Sequence, residues 1–182
     1  FREFTSGLTG MLEFFSRFAV RATFFFVAED AETGEHALLV KRVAEAGHEI
    51  ASHSYSHPQG FRLLSEAGMA DELRRSRALL GSVSGQTVVG FRAPGWNISD
   101  VALPIMKDLG YGYDASVFPT FAAPLLKLLH YYAMRRRPAA VRTTLGRFAY
   151  AWAPVSAYRV AADSLGRKGN SPFVEFPVQV AG

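Results

Sequence analysis

The chain has no cysteine, which excludes disulfide bonds and thiolate metal sites and leaves the redox compartment open. It also lacks any apolar run near the roughly 18 residues that would suggest a membrane-spanning helix, and no secretory signal is legible at Phe1. No low-complexity linker interrupts it. Acidic residues are slightly outnumbered, 16 against 20 Lys and Arg, for a formal charge of +4. The excess is local, concentrated at 127–147 around the run Arg135, Arg136 and Arg137. A solvated face is the ordinary reading of such a run; phosphate, an anionic polymer and a membrane surface are the alternatives. What is present is globular: 182 residues, 49% hydrophobic and 13% aromatic, suit one domain spanning 1–182 with a real core.

Strand and helix signals alternate over the first two thirds. Ala22, Thr23, Phe24, Phe25, Phe26 and Val27 form a short apolar run expected as a strand buried on both faces. Leu39, Val40, Val43, Ala44 and Ala46 recur at helical spacing before Gly47, and 48–52 reads as a second strand. That βαβ unit occupies about 30 residues, enough for a parallel crossover. The pattern repeats: Met69, Leu73 and Leu80 mark a helix before Gly85, and 87–92 a strand. Ser99 is placed to cap a helix carrying Val101, Ile105 and Leu109, with a strand at 111–114 to follow. The expectation is an α/β protein, a parallel sheet or a barrel closed from one. From about 119 to 171 the rhythm is lost and a long insertion is expected, with one helix through Leu125, Leu128, Leu129 and Tyr132, before a strand within 173–178.

The chemistry-bearing residues fall at the predicted strand ends. His53 and His57 sit four apart in His-Ser-Tyr-Ser-His after the second strand, a spacing that brings both imidazoles to one side if the segment makes one helical turn. Neutral imidazole is a favoured ligand for zinc and related metals, but two ligands rarely hold an ion, so a third must come from elsewhere. Arg92 ends the next strand and Asp114 the one after. Ligands bind at the carboxyl ends of strands in parallel α/β folds, so these landmarks predict one site on one rim. Taken singly, each has a plainer reading: a polar loop for the histidines, a surface ion pair for Arg92, a core position for Trp96 and a cap for Asp114.

Together, Ala-Thr-Phe-Phe-Phe-Val (22–27), Gly-His-Glu-Ile-Ala-Ser-His-Ser-Tyr-Ser-His-Pro (47–58), Gly-Phe-Arg-Ala-Pro-Gly (90–95) and Tyr-Gly-Tyr-Asp-Ala-Ser (111–116) closely resemble the polysaccharide deacetylases, the NodB-homology group or carbohydrate esterase family 4. The resemblance covers residues 1 to about 118 and implies a distorted (β/α) barrel. It further implies one divalent metal, usually Zn2+, held by an aspartate and two histidines, here His53 and His57. Arg92 would orient the catalytic base, Gly95 would offer its N–H to the developing oxyanion, and Asp114 would be the acid that pairs with the arginine. Pro94 and Trp96 would line the sugar groove, and Val117 or Phe118 would fill the acyl pocket. The implied substrate is an N-acetylated glycan, with O-deacetylation as a variant, and the implied location is the cell envelope or outside the cytoplasm.

The sequence departs from that pattern. No Asp-Asp pair is present to supply the base and third ligand, and no Leu-x-His motif supplies a general acid. Phe1, Arg2, Glu3 and Phe4 resemble the residues just downstream of the family's first motif, so the expectation is a chain beginning past its own aspartates and ending before the late histidine; His130 does not replace it. A deacetylase and a non-catalytic sugar-binding relative are therefore both retained. The segment 125–152 has two readings, a helix packed on the fold with its arginines in water or a peripheral contact with an anionic bilayer favouring a lipid-linked sugar. No nucleic-acid partner is expected, since the basic run carries no recognisable binding motif.

Overall fold

The structure, a computed structural model, describes residues 2–120 and 148–178. The helix expected over 125–132, the basic segment 127–147 and His130 lie outside the described residues. Helix α1 (Arg2–Arg17) leads into strand β1 (Thr23–Phe26), helix α2 (Gly34–Glu45) and strand β2 (Glu49–Ser52). Helix α3 (Glu66–Ser84), strand β3 (Gly90–Phe91), helix α4 (Ala102–Asp108) and strand β4 (Tyr113–Asp114) continue the alternation. Strands β5 (Tyr158–Arg159) and β6 (Val174–Glu175) close the series. Six strands form one sheet in the order β1-β2-β3-β4-β6-β5, parallel except for the β5–β6 pair. Among the described residues the two ends of this arc do not pair, so the expected barrel is represented by an open sheet. No helix among the described residues is long and apolar enough to cross a membrane.

The α/β alternation follows the apolar periodicity. Leu39, Val40 and Val43 are the buried stripe of α2, and Met69, Leu73 and Leu80 that of α3. Gly47 and Gly85 take the left-handed conformations, φ 82° and 71°, that end these helices at little steric cost. At the start of α3, Ser65 accepts a hydrogen bond from the Gly68 amide at 3.1 Å. Helix α3 is then bolted to the sheet by polar contacts as well as packing: Tyr111 Oη donates to the Leu73 carbonyl (2.8 Å), Arg77 Nε to that of Val88 (2.9 Å), and the Ser52 and Ser76 hydroxyls meet at 2.7 Å.

Two expectations need correction, and two elements were not foreseen. Strand β1 is half-buried rather than buried on both faces, because its only strand neighbour among the described residues is β2. Helix α4 starts later than predicted, since Ser99 offers its carbonyl, not its side chain, to the Ala102 amide. The buried stripe of α4 is accordingly Ala102, Leu103 and Met106, while Val101 is exposed. Within the expected insertion, β5 joins the sheet, a pairing too short to leave a periodic signal. Helix α1, absent from the expectations although Leu8, Met11, Leu12 and Phe15 recur at helical spacing, runs before β1, and its Leu8 joins the core.

Gly90 illustrates how tightly the sheet is filled: a Cβ there would lie 2.2 Å from Tyr113 Cζ, whose hydroxyl donates to Glu49 Oε1 at 2.8 Å. Gly90→Ala must displace that ring and is expected to cost about 1–3 kcal/mol, read as a lower urea midpoint. In a Tyr113→Val background the extra cost should largely vanish.

Candidate active site

The ladder sets the site's geometry. Ser52 stands opposite Phe91, Phe91 opposite Asp114, and Asp114 opposite Glu175, so β2, β3, β4 and β6 end level with one another. One step on, the His53 amide donates to the Phe26 carbonyl (2.8 Å), Arg92 to Ser52 (2.9 Å) and Ala115 to Phe91 (2.9 Å). The histidine pair, Arg92 and the Asp114 strand therefore reach one rim, as the strand-end argument requires.

The His53 and His57 rings lie with centroids 5.1 Å apart. They converge by a route other than the expected helical turn: Ser54 and His57 adopt left-handed backbone at φ 68° and 54°, each costing on the order of 1 kcal/mol for a residue with a Cβ. The loop is held in that shape from three sides. Ser54 and Tyr55 carbonyls accept from Ala28 and Glu29 amides (3.1 and 2.9 Å), and the Ser54 hydroxyl accepts from the His57 amide (3.0 Å). From α3, Glu72 accepts three hydrogen bonds, from the Tyr55 and Ser56 amides (2.9 Å each) and the Ser56 hydroxyl (2.7 Å). Hydrogen bonds to a carboxylate are stronger than neutral ones, and these offset the local strain.

His53 Nδ1 lies 2.7 Å from the Arg92 carbonyl oxygen. A carbonyl only accepts, so Nδ1 carries the hydrogen and Nε2 is left with a lone pair, the tautomer that a metal ligand needs. Burial pulls the His53 pKa below its ordinary value, opposed by this hydrogen bond and reinforced by the neighbouring His57 and Arg92 charges, which also favours the neutral ring. The donor chemistry thus fits two nitrogen ligands of a divalent ion. Among the described residues no group of three His, Cys, Asp or Glu side chains is arranged to hold one.

Arg92 is anchored by its Nε to the Ala115 carbonyl (3.0 Å), and its guanidinium lies 4.3 Å from the Phe25 ring centroid. The expected partnership with Asp114 is not a direct ion pair: among the described residues, no ion pair joins them. Alternation explains this. Phe25, beneath Arg92, precedes the register level shared by Ser52, Phe91 and Asp114, so the Asp114 side chain departs from the opposite face of the pleat. Asp114 is fully buried and accepts from the Ser116 amide (3.1 Å) and hydroxyl (2.6 Å). Its carboxylate thus ties the rim together from within.

The groove residues sit on the two loops that Ser116 joins, its hydroxyl accepting from the Ala93 amide at 2.8 Å. Gly95 is exposed at φ 60°, the apex of a tight turn, whereas Pro94 is buried and shapes that turn instead of lining an open surface. Trp96 and Phe118 stack at 5.6 Å with planes 20° apart and are half-buried. Val117 is buried, leaving Phe118 as the accessible member of that pair. Sequence reasoning missed Glu72, Ser116 and Glu175. For Glu175 a signal existed, a lone carboxylate inside the apolar run 173–178; Glu72, on a solvated-looking helix face, gave none.

Comparison with known proteins locates this arrangement. The family model for polysaccharide deacetylase matches residues 5–113. A peptidoglycan deacetylase of Helicobacter pylori is 28% identical over 111 residues, 61% of this chain and 37% of that protein. A chitin deacetylase of Pestalotiopsis is 28% identical over 102 residues, 56% of this chain and 34% of that one. The chain thus spans about a third of the length of these curated relatives. Among solved structures, a Mycobacterium smegmatis protein assigned as a polysaccharide deacetylase superposes with a TM-score of 0.65 at 24% identity, covering 94% of this chain and 45% of its own. A CE4 family pseudoenzyme from Bacillus anthracis gives a TM-score of 0.55 at 27% identity over 59% of this chain and 37% of its own.

Glu72→Ala removes the carboxylate that organises the histidine loop. Amide hydrogen exchange at Tyr55 and Ser56, followed by NMR, should accelerate roughly tenfold, equivalent to about 1.4 kcal/mol of lost local protection. Unchanged exchange at both amides would remove Glu72 from this role.

Proposed function

The chain belongs to the polysaccharide deacetylase family, and from that premise we propose that it carries the metal-binding and substrate-facing part of a metal-dependent hydrolase that removes N-acetyl groups from a glycan. The observation carrying this reading is the convergence of His53 and His57 beside Arg92 with the His53 tautomer fixed by the Arg92 carbonyl. The polymers named for the relatives, peptidoglycan and chitin, both contain N-acetylated sugars, which supports that substrate class.

In this reading His53 Nε2 and the His57 imidazole hold one divalent ion, zinc first, with further donors required beyond these two. Such an ion, when bound, polarises an amide carbonyl and eases deprotonation of water near neutral pH. The chain's own residues do the rest. Arg92, clamped by Ala115 and resting on Phe25, presents a fixed positive charge beside the histidines for orienting a carboxylate base. The exposed Gly95 turn offers a backbone N–H to charge developing on the amide oxygen, an arrangement with no side chain to obstruct approach. The Trp96–Phe118 stack offers an aromatic surface for the apolar face of a sugar ring.

A second reading, a binding relative without turnover, draws support from the likeness to the Bacillus anthracis pseudoenzyme. The two readings separate experimentally. Zinc titration by calorimetry of the full-length gene product should give one site per molecule, lost in His53→Ala and in His57→Ala. Acetate release from N-acetylglucosamine oligomers is measured on the same protein. Oligomer binding with no acetate release establishes the binding relative; absence of zinc binding ends the metal-dependent reading.

A further inference from the structure

Two carboxyl groups, Asp114 and Glu175, lie side by side on β4 and β6 with no exposed surface on either residue. Glu175 Oε1 accepts from the Val117 amide at 3.0 Å, while Oε2 is buried with no donor within reach. Asp114 is already occupied by Ser116 on both oxygens. From the neighbouring elements, the titratable groups whose charge reaches the pair are Arg92, on the other face of the sheet, and Tyr158. Arg92 donates its Nε–H to the Ala115 carbonyl and the Tyr158 hydroxyl donates to that of Leu165, and neither side chain reaches Oε2 with a hydrogen bond. Two adjacent buried carboxylates, one with an orphaned oxygen, form an unstable arrangement unless one of them is protonated.

We infer that Glu175 is a neutral acid whose Oε2–H donates to Asp114, and that it is a positioning residue for the rim of the site. It acts through a continuous chain of hydrogen bonds. Glu175 binds Asp114 and the Val117 amide, Asp114 binds Ser116, and Ser116 takes the Ala93 amide. One end of this chain fixes the turn carrying Gly95 and Trp96; the other fixes the strand exit carrying Phe118. The stacked Trp96–Phe118 pair is the point where the two loops meet. Burial, followed by the Asp114 charge, raises the Glu175 pKa well above its ordinary 4.5. Its stabilising contribution is therefore fully present below about pH 4.5 and is lost as the pH rises through the higher folded value.

The inference depends on the proposed function only in treating this rim as the site. Infrared spectroscopy of the wild-type chain at pH 7 should show a protonated-carboxyl stretch, sensitive to deuterium, that Glu175→Gln abolishes. The fall in melting temperature with rising pH should flatten in Glu175→Gln, whose amide donates to Asp114 at every pH. With Trp152→Phe as background, Trp96 is the remaining tryptophan and reports on the groove. Glu175→Ala should shift its emission, and Glu175→Gln should restore it. A wild-type spectrum without the protonated-carboxyl stretch overturns the inference, and does so even if a variant fails to fold. Trp96 emission that is identical in the Trp152→Phe background with and without Glu175→Ala would overturn the positioning role. Neither arm uses substrate or metal, so failure here is distinct from failure of the deacetylase reading.

Discussion

The parallel register of β2, β3, β4 and β6 is the constraint on which the site depends. Because Ser52, Phe91, Asp114 and Glu175 form one row, the next residues of each strand emerge at a common level, and the backbone itself delivers an imidazole, a guanidinium and two groove loops to the same edge. Parallel pairing makes this possible without coordination between distant side chains: each βα unit returns its strand in the same direction and exposes its carboxyl end on the same side. A one-residue slip of β3 would turn Arg92 to the wrong face of the pleat and withdraw the carbonyl that sets the His53 tautomer.

Much of this was legible in the sequence because its signals are strong and local. The apolar stripes of α2 and α3, the glycines that stop them and the polar residues after each strand all derive from spacing alone, and the motif blocks narrowed the fold to one family. The convergence of His53 and His57 was legible too, though not its cause. Left-handed backbone at Ser54 and His57 is invisible to periodicity, because isolated positive-φ residues leave no repeat; the shape is imposed by Glu72 from another helix and by the segment after β1. Such long-range hydrogen bonds have no signature at short sequence separation.

The same limit applies to the side-chain direction of Asp114. Its position was correctly read, but its side-chain direction depends on pleat parity relative to Phe25, and its partners sit two residues away in Ser116 and some sixty away in Glu175. Short strands sharpen the difficulty. Strands β3, β4, β5 and β6 contain two residues each, too few for alternation to appear, and their identity rests on neighbours instead of composition. Strand β5 is the clearest case, since its pairing with β6 is all that marks it.

Strand β1 has a practical implication for work in solution. Its outer edge is unpaired among the described residues, it is built from Thr23 and three phenylalanines, and the neighbouring α1 and the turn that follows it expose Met11, Phe14 and Phe18. Free amide and carbonyl groups flanked by aromatic surface are a template on which a second polypeptide adds a strand. Handled at high concentration, the chain should self-associate through this margin first, and a charged residue introduced along it would be the simplest means of keeping preparations monodisperse.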